Sequence, residues 1–416
     1  MAHDDLGAVL AALLRRSQQT PPDGLSALFD ATARVLGLAG ARVLLADVQQ
    51  LRLVPLGTGG TEADGPLGVD GTVAGRAYRT MTAHTARDED GTVRLWLPLM
   101  DGIERIGVLE VGAHRDDPEL LDRCRALADV AALAVISKSG FSDGVVRTVR
   151  SAPMTLAAEL VWSFLPPRTV GTDRVTSSAV LEPAYEVGGD AFDQALHGEQ
   201  LHLAVVDAMG HDLASGLSAA VALAGCRSAR RAGGRLPAVV DTVDEALARW
   251  IPDRLLTAVV GTLDLGTGRF AWLNCGHPPP LLIRRQHVVA GALEHPGELP
   301  LGLGPAAPGS HRTVHSVQLE PGDRILVHTD GVTEARAADG TRFGEERLID
   351  HVVRAAAAGE PAPEALRRLI NAIMERQRGR LDDDATILLV EWHPPTAEAA
   401  EPAESQDASS RRTDAT

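Results

Sequence analysis

The chain is poor in aromatic residues, 3% of 416, and holds only three cysteines. Its core must therefore be filled with aliphatic side chains, and 44% of the residues are hydrophobic. Cys124, Cys226 and Cys275 are odd in number, far apart and in no CxxC spacing. That excludes a disulfide framework and a thiolate zinc site, and it fits buried thiols in a reducing compartment. No apolar run reaches the ~18 residues that cross a bilayer; the longest lie around 127–136 and 217–225. The start, Met1-Ala2-His3-Asp4-Asp5, lacks the basic region of a signal peptide. A cytoplasmic location without membrane attachment is expected. Basic residues are also short, 40 against 56 acidic, for a net charge of −16. Such a field repels a phosphate backbone, so nucleic acid is not an expected partner.

The pattern that is present divides the chain. A helix is expected over residues 4–19, stopped by Pro21-Pro22. A second follows over 24–36, with Leu25, Leu28, Phe29, Ala33 and Leu36 on one face. Strand-like runs at 41–46 and 51–55 precede a Gly/Asp-rich loop over 57–71. Then come a short helix over 72–79 and strands at 94–99 and 105–111, joined by a turn at Asp101-Gly102. Asp117-Pro118-Glu119 opens another helix, with a capping acceptor, a first-turn proline and an acid at the positive end of the dipole. This order over residues 20–137 makes an α+β sandwich that resembles a GAF domain. A PAS-like or unrelated α+β module is the alternative. Residues 138–167 read as a helical linker in which Leu156, Leu160, Val161 and Phe164 fall at helical spacing. That helix can pair with its twin in a homodimer or pack on its own domain. From 168 the texture turns to strands with interleaved helices, and the polar tail 394–416 is expected to be disordered.

Four aspartates of the C-terminal half share one peculiarity: each lies where a strand meets a turn. Asp190 follows Gly188-Gly189, Asp207 closes an apolar strand, Asp330 closes another before Gly331, and Asp383 stands just before a third. Strand ends gather at one edge of a sheet, so these carboxylates can meet although they are far apart in sequence. Four uncompensated carboxylates would repel strongly, and two divalent cations would neutralise them. Oxygen-only donors favour Mg²⁺ or Mn²⁺ over zinc. A pair of such ions can lower the pKa of a shared water from 15.7 towards ~7, giving a nucleophile suited to a phosphoester. Each signal alone has an ordinary reading. Asp330-Gly331 can be a plain turn, Gly188-Gly189 a bulge, 382–384 a solvated charge run, and Asp207 a cap for the helix that begins near Asp212.

Taken in order, EVGGDAFD (186–193), VVDAMGHD (205–212), LNCGHPPPLL (273–282), LPLGL (299–303), LEPGDRILVHTDGVTEA (319–335), RFGEERL (342–348) and DDDATILLV (382–390) resemble the metal-dependent protein phosphatases (PPM) of the sporulation protein E and RsbU branch. The resemblance covers residues 168–393. It implies an α-β-β-α sandwich and two Mn²⁺ or Mg²⁺ ions. It also implies that Asp207 and the Ala208 carbonyl contact metal, with Asp330 and Asp383 on one ion and Asp190 on the other. The family pattern Asp-Asp-x-Thr selects Asp383-Asp384 and leaves Asp382 outside. Glu186, Asp193 and Asp384 are then expected behind the ligands, with Asp207 and Asp190 carrying the catalysis. Met209 stands where eukaryotic relatives carry a histidine, and His211 does not inherit that role by proximity. His277 is expected to fix a loop, and no arginine is assignable to phosphate.

The activity so implied is hydrolysis of phosphoserine or phosphothreonine in a protein. The implied substrate is a phosphorylated STAS-type anti-sigma-factor antagonist, with the GAF-like domain and its small-molecule ligand in control. A silent pseudophosphatase that only binds a partner is the alternative, and retention of all four aspartates argues against it.

Overall fold

The computed structural model describes residues 3–57, 65–87, 91–113, 118–210, 212–303, 311–336, 340–377, 381 and 383–394. The N-terminal part is one antiparallel sheet of six strands. Their order across the sheet is Leu67–Gly68, Arg52–Pro55, Gly40–Ala46, Glu104–Ala113, Val93–Asp101, His84–Arg87. Helix Leu25–Val35 buries Leu25, Leu28, Phe29, Thr32 and Ala33, the i, i+3, i+4, i+7, i+8 stripe of an amphipathic helix. It shares a core with His3–Gln19, Pro118–Ser139 and one face of the sheet. The other face packs on Ala74, Ala77 and Tyr78 of helix Val73–Thr80, whose first turn is capped by Thr72 Oγ1 accepting from Gly75 N–H at 2.9 Å. The sheet and helix order matches the sequence expectation. The edge strands Leu67–Gly68 and His84–Arg87 were not foreseen: each is too short to show alternation.

Two short helices connect the halves. Leu156–Phe164 lies where it was expected. Asp143–Val149 was missed because only seven residues separate its Ser142 cap from its end.

The C-terminal part stacks two antiparallel sheets between helices. One has five strands in the order His315–Gln318, Arg269–Cys275, Leu256–Asp264, Gln200–Ala208, Asp190–His197. The other has six, His287–Val288, Leu281–Arg284, Arg324–His328, Ala385–Trp392, Val175–Glu182, Thr169–Gly171. Period-2 patterning decides which side chains meet. In Ala385–Trp392, Leu388, Val390 and Trp392 join the core between the sheets, whereas Ala385, Ile387 and Leu389 face Leu366, Leu369, Ile370 and Ile373 of helix Ala362–Arg376. Helices Leu213–Arg231 and Leu236–Trp250 cover the five-stranded sheet in the same way. The result is the α-β-β-α order. All three cysteines are free and buried, and no helix among the described residues is long and apolar enough to cross a membrane.

Candidate metal centre at the edge of the sandwich

The site begins with a register. In the five-stranded sheet Asp207 stands directly opposite Asp190 on one side and Thr257 on the other. Directly paired residues share a face, and like charges there repel. Asp207 is the next-to-last residue of Gln200–Ala208, and Asp190 the first of Asp190–His197, so both lie at the same sheet edge.

The six-stranded sheet brings the other acids. Asp330 does not sit in a plain turn: it opens the short helix Asp330–Glu334, with Thr329 as its N-cap. Gly331 is needed for close approach, since a Cβ there would lie 1.9 Å from the Asp384 carbonyl oxygen. The contact seats Asp330 against the segment that carries Asp383 and Asp384. Gly189 serves likewise, a Cβ there falling 2.4 Å from the carbonyl oxygen of Ala208. Asp384 is a structural acceptor. Its Oδ2 takes the backbone N–H groups of Gly188 (2.9 Å), Gly189 (2.7 Å) and Asp190 (3.2 Å), so it clamps the glycine turn of one sheet to the strand start of the other.

Two threonines complete the clamp, and sequence reasoning missed both. Thr329 and Thr386 each donate a hydroxyl to Asp190 Oδ2 at 2.7 Å, and Thr386 N–H donates to Thr329 Oγ1 at 2.9 Å. Asp190 is 2% exposed and its oxygen is held from the opposite sheet. The signal was available: both threonines lie inside quoted motifs, and Thr386 is a polar residue on the inward face of an apolar strand.

Electrostatics mark this edge. Burial, then the charges of Asp330, Asp383 and Asp384, push the Asp207 carboxyl up to about 7. Burial, then Asp207 and Asp384, hold Asp190 well above the usual carboxylate range despite the two hydroxyls. Asp330 is raised by burial, Asp383 and Glu334. Asp384 is raised by burial and Asp383, against the pull of its three N–H donors. Among the described residues no lysine or arginine pairs with any of these five acids, and the Asp207 side chain makes no hydrogen bond. The donors are all oxygen and their charge is uncompensated, which is the chemistry a hard divalent cation requires. As placed, however, no three Asp, Glu, His or Cys side chains among the described residues are grouped closely enough to hold an ion. The residues fit the metal in kind.

Other expected residues fall elsewhere. Asp193 alternates to the opposite face from Asp190 and is buried in ion pairs with Arg227 (2.7 Å) and Arg230 (2.6 Å) of helix Leu213–Arg231. The structure does not bring it behind the acids. Glu186 is exposed, with no side-chain partner among the described residues. The cap of helix Leu213–Arg231 is Asp212, whose Oδ1 accepts from Ser215 N–H at 2.9 Å, so Asp207 is not a cap. His277 fixes its loop through reciprocal bonds with Asn274, and burial lowers its pKa to about 3. Its Nδ1 lies 2.8 Å from Thr257 Oγ1. Met209 is exposed. His211, Asp382 and the tail from 395 lie outside the described residues.

Comparison with known proteins agrees with this frame. Residues 197–393 match the family model described as Stage II sporulation protein E (SpoIIE). Protein IcfG of Synechocystis is 26% identical over 223 residues, 45% of this chain and 33% of that one. Phosphoserine phosphatase RsbU of Bacillus subtilis is 21% identical over 250 residues, 59% of this chain and 72% of RsbU. The chain thus spans a third of the first relative's length. Of solved structures, the SiaA PP2C domain of Pseudomonas aeruginosa matches at 22% identity and a TM-score of 0.49, covering 57% of this chain and 94% of that one.

Proposed function

We propose that the chain is a metal-dependent protein serine/threonine phosphatase. The observation that carries the reading is the Asp207–Asp190 cross-strand pair, joined at one edge by Asp330, Asp383 and Asp384 with no cationic partner among the described residues. Asp207, Asp330, Asp383 and the Ala208 carbonyl would hold Mn²⁺ or Mg²⁺, with Asp190 beside them. When bound, such ions supply a hydroxide-like water and charge for the phosphoryl oxygens. The protein's own part is orientation. Asp384 fixes the glycine turn, Thr329 and Thr386 fix Asp190, and the strand ladder keeps Asp207 between Asp190 and Thr257. Asp207, near 7, shifts towards its charged form as soon as a cation is near, so binding and proton release are coupled there.

The substrate proposed is a phosphorylated anti-sigma-factor antagonist of STAS type, and the GAF-like N-terminal domain is proposed to control turnover. The name of the relative RsbU supports phosphoserine as the target. The alternative is a binding module without turnover. Hydrolysis of a phosphoserine peptide by the full chain, with Mn²⁺ and then with EDTA, separates the two. The proposal requires Mn²⁺-dependent phosphate release that EDTA stops. Release that persists in chelator, or none at any Mn²⁺ concentration, refutes it.

A further inference from the structure

One turn of the N-terminal domain touches four parts of the molecule. Residues 47–50 connect strands Gly40–Ala46 and Arg52–Pro55. Buried Asp47 fixes the turn, its Oδ1 accepting from the N–H groups of Leu51 (2.7 Å) and Arg52 (3.0 Å). Gln50 closes it in the left-handed region, φ 56, where a non-glycine residue is strained. From this rigid base Val48 N–H donates to Val149 O in the connecting helices at 2.7 Å, and Val48 O accepts from Arg168. Gln50 Oε1 accepts from Tyr78 Oη (3.0 Å) and Arg105 (3.1 Å), and Arg105 continues to Glu364 of helix Ala362–Arg376 at 2.9 Å.

The fourth contact is different in kind. Gln49 Nε2 donates to Glu182 Oε2 at 3.1 Å. Glu182 is buried, ends strand Val175–Glu182 and stands opposite Ala385, the residue after Asp384. The same oxygen accepts from Ala184 N–H at 2.8 Å. Residues 183–189 run from there to Asp190, and their far end is the glycine turn held by Asp384. One short segment is thus fixed at its start by Glu182 and Gln49 and at its end by the acid edge.

We propose that Gln49 is a positioning residue for the catalytic edge: bonded to Glu182, it sets residues 183–189, and with them Asp190, from the N-terminal domain. The proposal rests on the acid edge being the metal site, and it names the route by which the N-terminal domain reaches it. An amide suits the task. It bonds a buried carboxylate without cancelling its charge, so the contact can break and reform with movement of one turn. The Asp70–Arg367 ion pair crosses the same interface without Asp70 touching residues 47–50.

The test uses the full chain and two readouts besides turnover: amide hydrogen exchange of residues 184–190, and Mn²⁺ affinity from the free-ion electron paramagnetic resonance signal. Gln49→Ala is expected to speed exchange at 188–190 and to weaken Mn²⁺ binding by up to about tenfold, the ceiling set by the free energy of one such bond. Gln49→Glu places two carboxylates together and gives the same or a larger loss. Gln49→Glu with Glu182→Gln restores the donor–acceptor pair with its ends exchanged, and both readouts should return. Asp70→Ala removes the Asp70–Arg367 ion pair across the same interface without touching residues 47–50 or Glu182, and should leave exchange at 188–190 near the parent's. Unchanged exchange in Gln49→Ala overturns the proposal. So does an Asp70→Ala effect equal to it, or an exchanged pair that fails to restore. If the parent chain binds no Mn²⁺, the metal reading has failed, and the exchange comparison still decides the positioning role.

Discussion

Asp207→Asn should remove turnover while stabilising the metal-free protein. The side chain makes no hydrogen bond among the described residues, and its strand pairing uses only backbone, so the substitution breaks no contact. What it removes is charge. The carboxyl stands at about 7 because of burial and then Asp330, Asp383 and Asp384. Set against an ordinary value of 3.8, the charged form costs at most ~4 kcal/mol in the folded chain, at 1.36 kcal/mol per factor of ten in proton affinity. Half of that figure, ~2 kcal/mol, raises the melting temperature by about 4–8 °C for a domain of this size. Turnover should fall by more than ~100-fold, since even a third of the ~10 kcal/mol that the metals contribute to making hydroxide exceeds that factor. The assay is paired: calorimetry at pH 8 in EDTA, and phosphate release with Mn²⁺. A variant that melts lower than its parent in EDTA would show that Asp207 makes stabilising contacts, and an active variant would remove it from the site.

The same acids set a pH dependence. Their folded-state pKa values are raised, so these acids hold more protons in the native state than in the unfolded one between about 4 and 7, and their contribution to metal-free stability should fall as pH rises through that window. Buried His277, lowered to about 3, contributes the opposite slope, so the check is the difference between parent and Asp207→Asn melts in EDTA from pH 4.5 to 8: the variant's advantage should widen as pH rises, and a constant advantage contradicts the account. Thr386→Val removes one of the two hydroxyls that hold buried Asp190 and should cost about 1–3 kcal/mol with a clear loss of rate; denaturant melts and turnover report both. Arg105→Ala leaves Glu364 with Arg367 as its remaining partner and should cost about 3 kcal/mol, seen as a lower melting temperature for the full chain. Deleting residues 1–136 should change the rate per catalytic domain, and an unchanged rate would leave the N-terminal domain without a catalytic role.

Much of this fold is legible because its signals are local. Leu25, Leu28, Phe29 and Ala33 declare a helix by spacing alone, and residues 385–392 declare a strand covered on both faces. The acid edge is legible in part, since Asp190, Asp207, Asp330 and Asp383 mark strand ends. What sequence conceals is direction and partnership across sheets. Asp193 lies three residues from Asp190, and only the pleat sends it to Arg227 and Arg230 instead of the edge. Thr329 and Thr386 acquire meaning from Asp190, 139 and 196 positions away. Gly331 looks like half of a turn, yet it is required by the carbonyl of Asp384. Residues 47–50 read in sequence only as polar residues between two strand-like runs, because their partners Arg168, Glu182 and Arg367 belong to the other half of the chain.

The most direct measurement is anomalous diffraction from crystals of the full chain grown with Mn²⁺. Two anomalous peaks at the sheet edge, one or both touching Asp207, with Asp330 and Asp383 among the ligands, are the result the account predicts. Well-ordered crystals at millimolar Mn²⁺ with no peak beside Asp207, or with manganese only at surface acids elsewhere, would contradict it.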